Sequence, residues 1–266
     1  MDIESLSEND LQHIPSLIPP GWDTAIPAIQ FYTNSVFCFP FKAMIDNKLA
    51  GTGTAIIHHD VAWLAHIIVH SDFRNQGIGR RITQYLVEFI HGKGLETIYL
   101  LATELGEPVY RKIGFEAETE YITYRREMQN EVYVDAGNII TYTDHLKEQI
   151  SMIDRLVSGE DRLFHLETHL SNGFVYVVNN NVEGYYLPTM GDGLIIATTG
   201  KAGQALMSLR LTTKDFAVFP IDNVSAATFI QQHPFTEVRR QKRMRLGTKR
   251  NWQPEHIYNR IGGNLG

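Results

Sequence analysis

The sequence predicts an α+β protein of two domains, each with a mixed, mostly antiparallel central sheet flanked by helices. The chain of 266 residues is long enough for two such domains. In the first half, three strand patterns joined by short turns precede a glycine-bearing loop and a helix. A similar order of elements is predicted in the second half. We expect the domains to span residues 1–130 and 137–266, with the polar residues 128–136 as a short linker.

The first half begins with a helical region and continues with strands. Residues 1–35 are helical in character, although prolines interrupt them. Three strands are predicted at Phe37–Ile45, Leu49–His58 and Val61–Val69, with a tight turn at Asp46-Asn47-Lys48. Because short turns join them, neighbouring strands should pair antiparallel.

The segment Val69–Gly79, V-H-S-D-F-R-N-Q-G-I-G, joins the third strand to an amphipathic helix. A loop that enters a helix N-terminus directs backbone N–H groups and the positive end of the helix dipole towards one point. Gly77 and Gly79 lack the Cβ atoms that would hold a phosphate away, and Arg74 adds a positive charge. The segment therefore predicts a pyrophosphate-binding site.

Glycine spacing excludes two other phosphate-binding loops. A dinucleotide-binding loop needs a third glycine at the position of Ile82. A Walker loop needs Ser or Thr after the lysine, whereas Gly200-Lys201 is followed by Ala202 and lacks the earlier glycine. The chain instead reads R-x-x-G-x-G at Arg74–Gly79.

A second signature, Y-R-K-I-G-F, occupies Tyr110–Phe115. It follows a predicted parallel strand at Leu95–Ala102 and overlaps a predicted helix at Leu105–Ile113. Its glycine suits the left-handed position just after a helix. The next segment, Phe115–Glu127, is predicted to form two closing strands around Glu118-Thr119.

Together, R-x-x-G-x-G and Y-x-x-x-G-F resemble the GCN5-related N-acetyltransferase (GNAT) family, and the resemblance covers about half of the chain. It implies GNAT-like domains, acetyl-CoA as cosubstrate, and direct transfer of the acetyl group to a primary amine of a small molecule or polypeptide in a ternary complex. The residues that it implies for cofactor binding are Ile67, Ile68, Val69, Arg74, Asn75, Gln76, Gly77, Ile78, Gly79, Arg80 and Tyr110.

The resemblance also implies catalytic roles. The family's tyrosine, matched by Tyr110, protonates the departing CoA thiolate. An alkylamine with a pKa of about 10.4 must lose a proton before it attacks. The usual positions of the family's base correspond to Trp63 and Ala65, which cannot accept a proton. His66 is the adjacent candidate if the strand bulges there, although a histidine on a buried strand also suits a structural role. The other candidates are His58, Glu104, a residue of the second domain, and a water chain.

In this family a helix–loop–helix flap closes over the acceptor amine, and residues 1–35 resemble it. Trp22, Phe31 and Tyr32 would then line an acceptor pocket, but packing against the sheet explains them equally well. The acceptor itself is not predicted, because acceptor loops vary on this scaffold.

The second half departs from the family where the cofactor would bind. Thr198–Gly203 lacks R-x-x-G-x-G, and Phe229–Phe235 lacks both the tyrosine and the glycine of the second signature. We therefore expect a degenerate GNAT-like domain that does not bind CoA productively and that covers the acceptor cleft or makes a dimer contact. The predicted elements are strands at 137–141, 173–178, 182–187, 194–197, 216–220 and 237–246, and helices within 144–170, at 202–209 and at 224–232.

Composition narrows the class of protein. The chain is 43% hydrophobic and 20% charged, as in ordinary globular proteins, and its net charge of −6 argues against a nucleic-acid partner. One cysteine, Cys38, allows no internal disulfide. We expect a cytoplasmic monomer or homodimer with no metal site and no membrane span. Two functions remain open: the acetyltransferase, or a non-catalytic acyl-CoA-binding or sensing protein that lacks a base.

Overall fold

The structure is a computed structural model, and it describes residues 1–22, 24–126 and 137–266. The predicted linker at 128–136 lies outside the described residues, and the predicted domain limits stay a prediction. The described chain divides into two compact units. The N-terminal unit comprises Met1–Glu116, Met244–Lys249 and Gly263–Leu265, and the C-terminal unit comprises Ala117–Arg243, Arg250–Gly262 and Gly266.

The N-terminal unit contains five strands and three α-helices in its described residues, together with a 3₁₀-helix at Glu8–Leu17 and a 3₁₀ turn at Ser71–Phe73. In chain order they are β1 (Asp2–Ser5), α1 (Ala25–Asn34), β2 (Cys38–Ile45), β3 (Lys48–Ile57), β4 (Ala62–Val69), α2 (Ile78–Gly92), β5 (Ile98–Ala102) and α3 (Glu107–Arg111).

Between residues 137 and 246 the C-terminal unit follows the predicted order of strands and helices. In chain order it contains β6 (Glu116–Arg126, of which Glu116 belongs to the N-terminal unit), β7 (Ile139–Thr141), α4 (Lys147–Ser158), α5 (Leu163–Leu170), β8 (Phe174–Val178), β9 (Asn181–Leu187), β10 (Leu194–Ala197), α6 (Gly200–Leu211), β11 (Phe216–Pro220), α7 (Val224–Gln231), β12 (Phe235–Leu246, whose end belongs to the N-terminal unit) and β13 (Ile257–Asn259).

The sheet of the N-terminal unit has the strand order β1-β2-β3-β4-β5, followed by the C-terminal end of β12. The first four strands pair antiparallel, whereas β4 and β5 pair parallel. Asp46 and Asn47 both have positive φ angles, as a two-residue hairpin turn between β2 and β3 requires. This confirms the predicted strand order up to the phosphate loop.

Helix α2 packs on β3 and β4 through its apolar face. Ile78, Ile82, Leu86 and Ile90 are spaced three or four residues apart, and all four are buried in one core cluster with residues of the sheet. The helix ends at Gly92, and Gly94 follows with a φ of +83°. Burial of this face fixes the orientation of α2 and so the direction in which its N-terminus points.

In the C-terminal unit, β13-β10-β9-β8-β7 form an antiparallel sheet, and β6 pairs antiparallel with β11. Helices α6 and α7 pack on a core that includes Leu206 and Phe229. A buried ion pair joins Arg162 to Asp154, with two N···O distances of 3.0 and 3.1 Å. The mixed architecture of both units confirms the predicted fold class.

Two element predictions are wrong. Residues 2–5 form β1 and not a helix, because their backbone pairs with β2 at Phe41–Met44. Residues 116–126 form one strand and not two, because the chain stays extended through Glu118-Thr119 into the segment Tyr121–Arg125 that pairs with β11. The position next to β5 is taken instead by the end of β12. Strand β13 was not predicted.

Within residues 1–22, 24–126 and 137–266, no helix is both long and apolar enough to cross a membrane.

Candidate active site

The loop before α2 has the backbone form that the glycine pattern predicts. Gly77 is the N-cap of α2 and has a φ of +78°, a region that non-glycine residues rarely adopt. A Cβ atom on Gly77 would point into open space, and in the described part of the chain no side chain caps this end of the helix. The first N–H groups of α2 therefore face an exposed loop, as an anion site requires.

Positive charge surrounds this helix end. Arg74 donates from Nε to the Val69 carbonyl at 3.2 Å, which ties the loop to the end of β4 and leaves both Nη groups out of that bond. Arg80 lies in the first turn of α2, and no acidic residue accompanies it in the described first turn. Asn75, with a φ of +61°, and Gln76 are exposed in the same loop. Contact of these residues with CoA stays a prediction.

Strand β4 contains a bulge at His66, which is the condition under which this histidine is a candidate base. Thr54 pairs with Ala65 and Thr52 pairs with Ile68, so that Gly53 stands opposite both His66 and Ile67. His66 has a φ of +47°, which is uncommon for a residue other than glycine. The bulge turns the chain locally, and β4 then continues through Ile67 and Ile68 to Val69.

Strands β4 and β5 pair over a short distance. Their ladder joins Ala62 to Ile98 and Trp63 to Tyr99. Beyond these pairs, β4 runs on to Val69 and β5 to Ala102, and no ladder between them is present in the described residues. One edge of β4 is therefore open to another hydrogen-bonding chain along the segment that leads into the phosphate loop.

Three side chains of the same unit surround His66. Tyr32 and Trp22 contact the imidazole directly, and Asn264 is hydrogen-bonded to Tyr32. Nδ1 of His66 lies 2.9 Å from the Tyr32 hydroxyl, and Asn264 Nδ2 donates to that hydroxyl at 2.9 Å. The ring of Trp22 meets the imidazole edge-on at a centroid distance of 6.5 Å. Burial lowers the pKa of His66 to about 4, so the ring is neutral at physiological pH.

The aromatic residues of the N-terminal segment divide between two environments. Tyr32 is buried at 2% exposure and contacts His66, and the ring of Trp22 also contacts the His66 ring. Phe31 is 55% exposed and packs on Phe37. The structure thus brings Trp22 and Tyr32 to His66, while Phe31 reaches this cluster through its ring contact with Tyr32, at a centroid distance of 6.3 Å.

Tyr110 lies on α3, which packs against α2. Its ring contacts Phe115 at a centroid distance of 6.0 Å, and Gly114 has the predicted positive φ, at +109°. Burial raises the pKa of the Tyr110 hydroxyl to about 12, so this group keeps its proton at neutral pH. In the described residues, no hydrogen bond or ring contact joins Tyr110 to His66.

The other base candidates occupy different settings. His58 is buried at 2% exposure, at the start of the β3–β4 turn, and its backbone N–H donates to the Val61 carbonyl. Glu104 is exposed in the loop between β5 and α3. Trp63 and Ala65, where the family places its base, are both buried on β4. The assignment of a base to His66, or to one of the other candidates, stays a prediction.

The corresponding helix end of the C-terminal unit is closed by its own side chains. The Thr199 hydroxyl accepts a bond from the Ala202 N–H at 3.3 Å, which caps α6. The same hydroxyl donates to the Glu183 carboxylate at 2.8 Å, which places a negative charge beside the helix N-terminus. A phosphate there would meet both a capped helix and a like charge.

In the C-terminal unit, a strand also covers the edge of β10 that corresponds to the open edge of β4. β13 pairs with β10, the strand before this loop, through Ile195–Asn259 and Ile196–Ile257. The Tyr258 ring lies against Gly203, where a Cβ atom would come within 2.1 Å of it. The C-terminal unit thus fills with its own residues the space that a thioester arm would need.

One residue of the cluster was missed by the sequence analysis. Asn264 lies in a Gly-Asn-Leu-Gly segment with no helical or strand pattern, 232 positions from Tyr32. Nothing in the local sequence distinguishes it from a loop asparagine, and only the fold brings it to Tyr32.

Comparison with known proteins agrees with this geometry. Residues 8–115 match the model of the Acetyltransferase (GNAT) family. This range contains the phosphate loop, the bulged strand and Tyr110. A search of curated proteins found no match.

Solved structures extend the likeness in fold to the whole chain. A candidate acetyltransferase from Pyrococcus horikoshii has a TM-score of 0.81 and 20% identity, covering 100% of this chain and 95% of that one. A GCN5-related N-acetyltransferase from Anabaena variabilis has a TM-score of 0.61 and 11% identity, covering 92% and 72%. A fungal GCN5-related glucosamine N-acetyltransferase region has a TM-score of 0.68 and 10% identity, covering 92% and 38%.

At these identities the structures establish the fold alone, and the family model provides the assignment. It supports acyl transfer as the activity and acetyl-CoA as the cosubstrate. The chain therefore carries an acetyltransferase domain of the GNAT family at residues 8–115.

Proposed function

We propose that this protein is an N-acetyltransferase that moves the acetyl group of acetyl-CoA directly to a primary amine of a small molecule or polypeptide, within a ternary complex. The observation that carries the proposal is a pair of adjacent features. The uncapped N-terminus of α2 follows the Arg74–Gly79 loop, and β4, whose edge is open, leads straight into that loop. The first feature suits a pyrophosphate and the second suits an extended amide-containing arm.

In this proposal, the pyrophosphate of acetyl-CoA binds the N–H groups at Gly77–Gly79 and the guanidinium of Arg74. The pantetheine amides pair with backbone groups of Ile67, Ile68 and Val69. A backbone N–H of β4 polarises the thioester carbonyl, as an oxyanion donor does. The site then holds the thioester carbon within reach of the acceptor amine.

The transfer step forms a C–N bond and breaks the C–S bond. The neutral amine attacks the thioester carbon, the electron pair of the C–S bond leaves with sulfur, and the attacking nitrogen releases one proton to water, from which the Tyr110 phenolate regains its own. Tyr110 donates its hydroxyl proton to that sulfur, a role that its raised pKa supports because the phenol stays protonated until the thiolate forms. His66 is the polar side chain at the bulge of β4, and its neighbours Tyr32 and Asn264 decide which ring nitrogen carries the proton.

Calorimetric titration with acetyl-CoA, followed by an amine-acceptor screen, tests the proposal. We expect the Tyr110→Phe variant to bind acetyl-CoA like the unaltered protein and to lose about 10²–10⁴-fold in turnover, the usual contribution of a general acid. Tyr85→Phe is the matched control, since Tyr85 is a partly buried tyrosine of α2 whose ring packs on Phe41. Binding without turnover on any amine would instead favour the acyl-CoA-binding or sensing function.

A further inference from the structure

The hydrogen bonds around Tyr32 bear on which ring nitrogen of the neutral His66 carries the hydrogen. A tyrosine hydroxyl has one hydrogen to donate and oxygen lone pairs that accept. Asn264 donates to the Tyr32 oxygen, so the hydroxyl hydrogen needs an acceptor elsewhere. In the described part of the chain, the acceptor within bonding distance is Nδ1 of His66, at 2.9 Å.

The opposite arrangement is unfavourable. If His66 donated from Nδ1, the Tyr32 oxygen would accept two bonds and its own hydrogen would be left without an acceptor. Tyr32 is only 2% exposed, so water cannot readily satisfy that hydrogen, and an unsatisfied buried donor destabilises the arrangement. Nδ1 of His66 is therefore the acceptor, and in a neutral imidazole the hydrogen then lies on Nε2.

We infer that Asn264 is a positioning residue of the active site: acting through Tyr32, it holds the hydrogen of His66 on Nε2, so that His66 meets the acceptor substrate as a hydrogen-bond donor and not as the base. The reaction role rests on the proposed function, whereas the placement of the hydrogen does not. A nitrogen that already carries a hydrogen cannot take one from an amine. His66 would instead orient the acceptor through an electronegative atom.

The direct test is a long-range ¹H–¹⁵N NMR spectrum of the full chain at neutral pH, with ¹⁵N-labelled histidine and the His66 signals assigned from their loss in His66→Gln. We expect Nε2 to be protonated and Nδ1 to be unprotonated. A protonated Nδ1, or nitrogens averaged between both forms, would overturn the inference. The free protein suffices, so no substrate is needed.

Asn264→Asp should reverse the pattern. A carboxylate accepts but does not donate, so it would take the Tyr32 hydrogen and leave the tyrosine oxygen to accept from Nδ1–H of His66. Asn172→Asp makes the same chemical change at an exposed residue of the C-terminal unit and should leave the spectrum of His66 unchanged. An Asn264→Asp spectrum identical to the unaltered one, in a variant whose other amide signals are preserved, would refute the role of Asn264.

A kinetic comparison tests the consequence once an acceptor is found. Glutamine can donate an N–H in place of Nε2–H but cannot act as a base. Alanine can neither donate a hydrogen bond nor act as a base. We expect the kcat of His66→Gln to exceed that of His66→Ala by about tenfold, the worth of one strong hydrogen bond. Equal losses of kcat in both variants would restore His66 as the base. Failure of acetyl-CoA to bind would refute the proposed function, while the NMR result would still stand.

Discussion

Among single residues, Gly77 has the backbone angle on which the proposed cofactor loop depends. Its φ of +78° lies where a Cβ atom is strained, by about 1 kcal/mol or more, even though the space around it is open. The strain would come from the backbone and not from a clash. A change at Gly77 should therefore act on the shape of the loop while the core beneath it is preserved.

We expect Gly77→Ala to weaken acetyl-CoA binding about tenfold or more, because the helix N–H groups would turn away from the pyrophosphate. Gly92→Ala is the control: Gly92 ends the same helix, has open space around it and has no positive φ. Calorimetric titration of both variants is the measurement. Equal affinities for acetyl-CoA in Gly77→Ala and Gly92→Ala would contradict the assignment of the loop.

His66 should make the stability of the fold depend on pH. Its pKa is about 4 in the folded protein and about 6.5 in the unfolded chain, because burial disfavours the charged ring. Between these values the unfolded chain binds a proton that the folded protein does not. The free energy of unfolding is therefore highest above pH 6.5 and falls as the pH falls towards 4, by up to about 3 kcal/mol.

Urea unfolding at pH 7 and pH 4.5 measures this effect. His66→Asn is the comparison variant, since asparagine tolerates the positive φ of this position and does not titrate. We expect the variant to lose less stability than the unaltered protein over this pH range, with the contributions of the other histidines cancelling. Parallel losses in the two proteins would show that His66 is readily protonated in the fold.

At the scale of elements, α2 combines a helix dipole with side-chain charge. Arg74 is tied by its Nε to the last carbonyl of β4, so its position depends on the strand and the loop together. The described first turn of the helix carries arginine and no acidic residue. Both features favour the binding of a polyanion at this end.

We expect Arg74→Ala to weaken acetyl-CoA binding by about 10- to 100-fold, as the loss of a charged hydrogen-bond donor to phosphate predicts. The affinity of the unaltered protein should fall with added salt more steeply than that of the variant. Lys48→Ala, at the exposed first residue of β3, removes the same charge at another site and serves as control. If both variants bound equally well, Arg74 would have no direct role at the pyrophosphate.

At the scale of the whole molecule, the two units differ at the positions that correspond to the proposed cofactor site. In the N-terminal unit the edge of β4 is open and the helix after it is uncapped. In the C-terminal unit β13 pairs with β10, Thr199 caps α6, and Tyr258 packs against Gly203. The N-terminal unit is therefore open at the end of β4 and the start of α2, whereas the C-terminal unit fills the equivalent place with its own residues.

We expect one acetyl-CoA site per chain in a calorimetric titration. Tyr258→Ala should lower the free energy of unfolding by about 3–5 kcal/mol, because it empties a space enclosed by the core, and should leave the stoichiometry at one. Tyr258→Phe, which keeps the ring, is the matched control. A second binding event in either protein would show that the C-terminal unit retains a cofactor site.

Local patterns in the sequence predicted most elements, because interactions between residues close in the chain determine where these helices, turns and strands form. The apolar period of α2, the positive-φ turn at Asp46-Asn47 and the strand at Leu194–Ala197 each depend on neighbours in the chain. β1 escaped prediction because four residues, Asp-Ile-Glu-Ser, carry little strand signal, and their extended form comes from pairing with β2. The closing strands were misplaced because β12 reaches β5 from far along the chain.

The sequence alone identified the glycine-bearing loop proposed to bind pyrophosphate, the tyrosine signature and the candidate histidine, since residue type and spacing suggest that chemistry. Tertiary structure decided what surrounds them. It placed the bulge beneath His66, ended the ladder between β4 and β5 after Trp63, and brought Asn264 to Tyr32 across 232 positions. Contacts at such separations depend on the packing of the whole chain, and no local pattern records them.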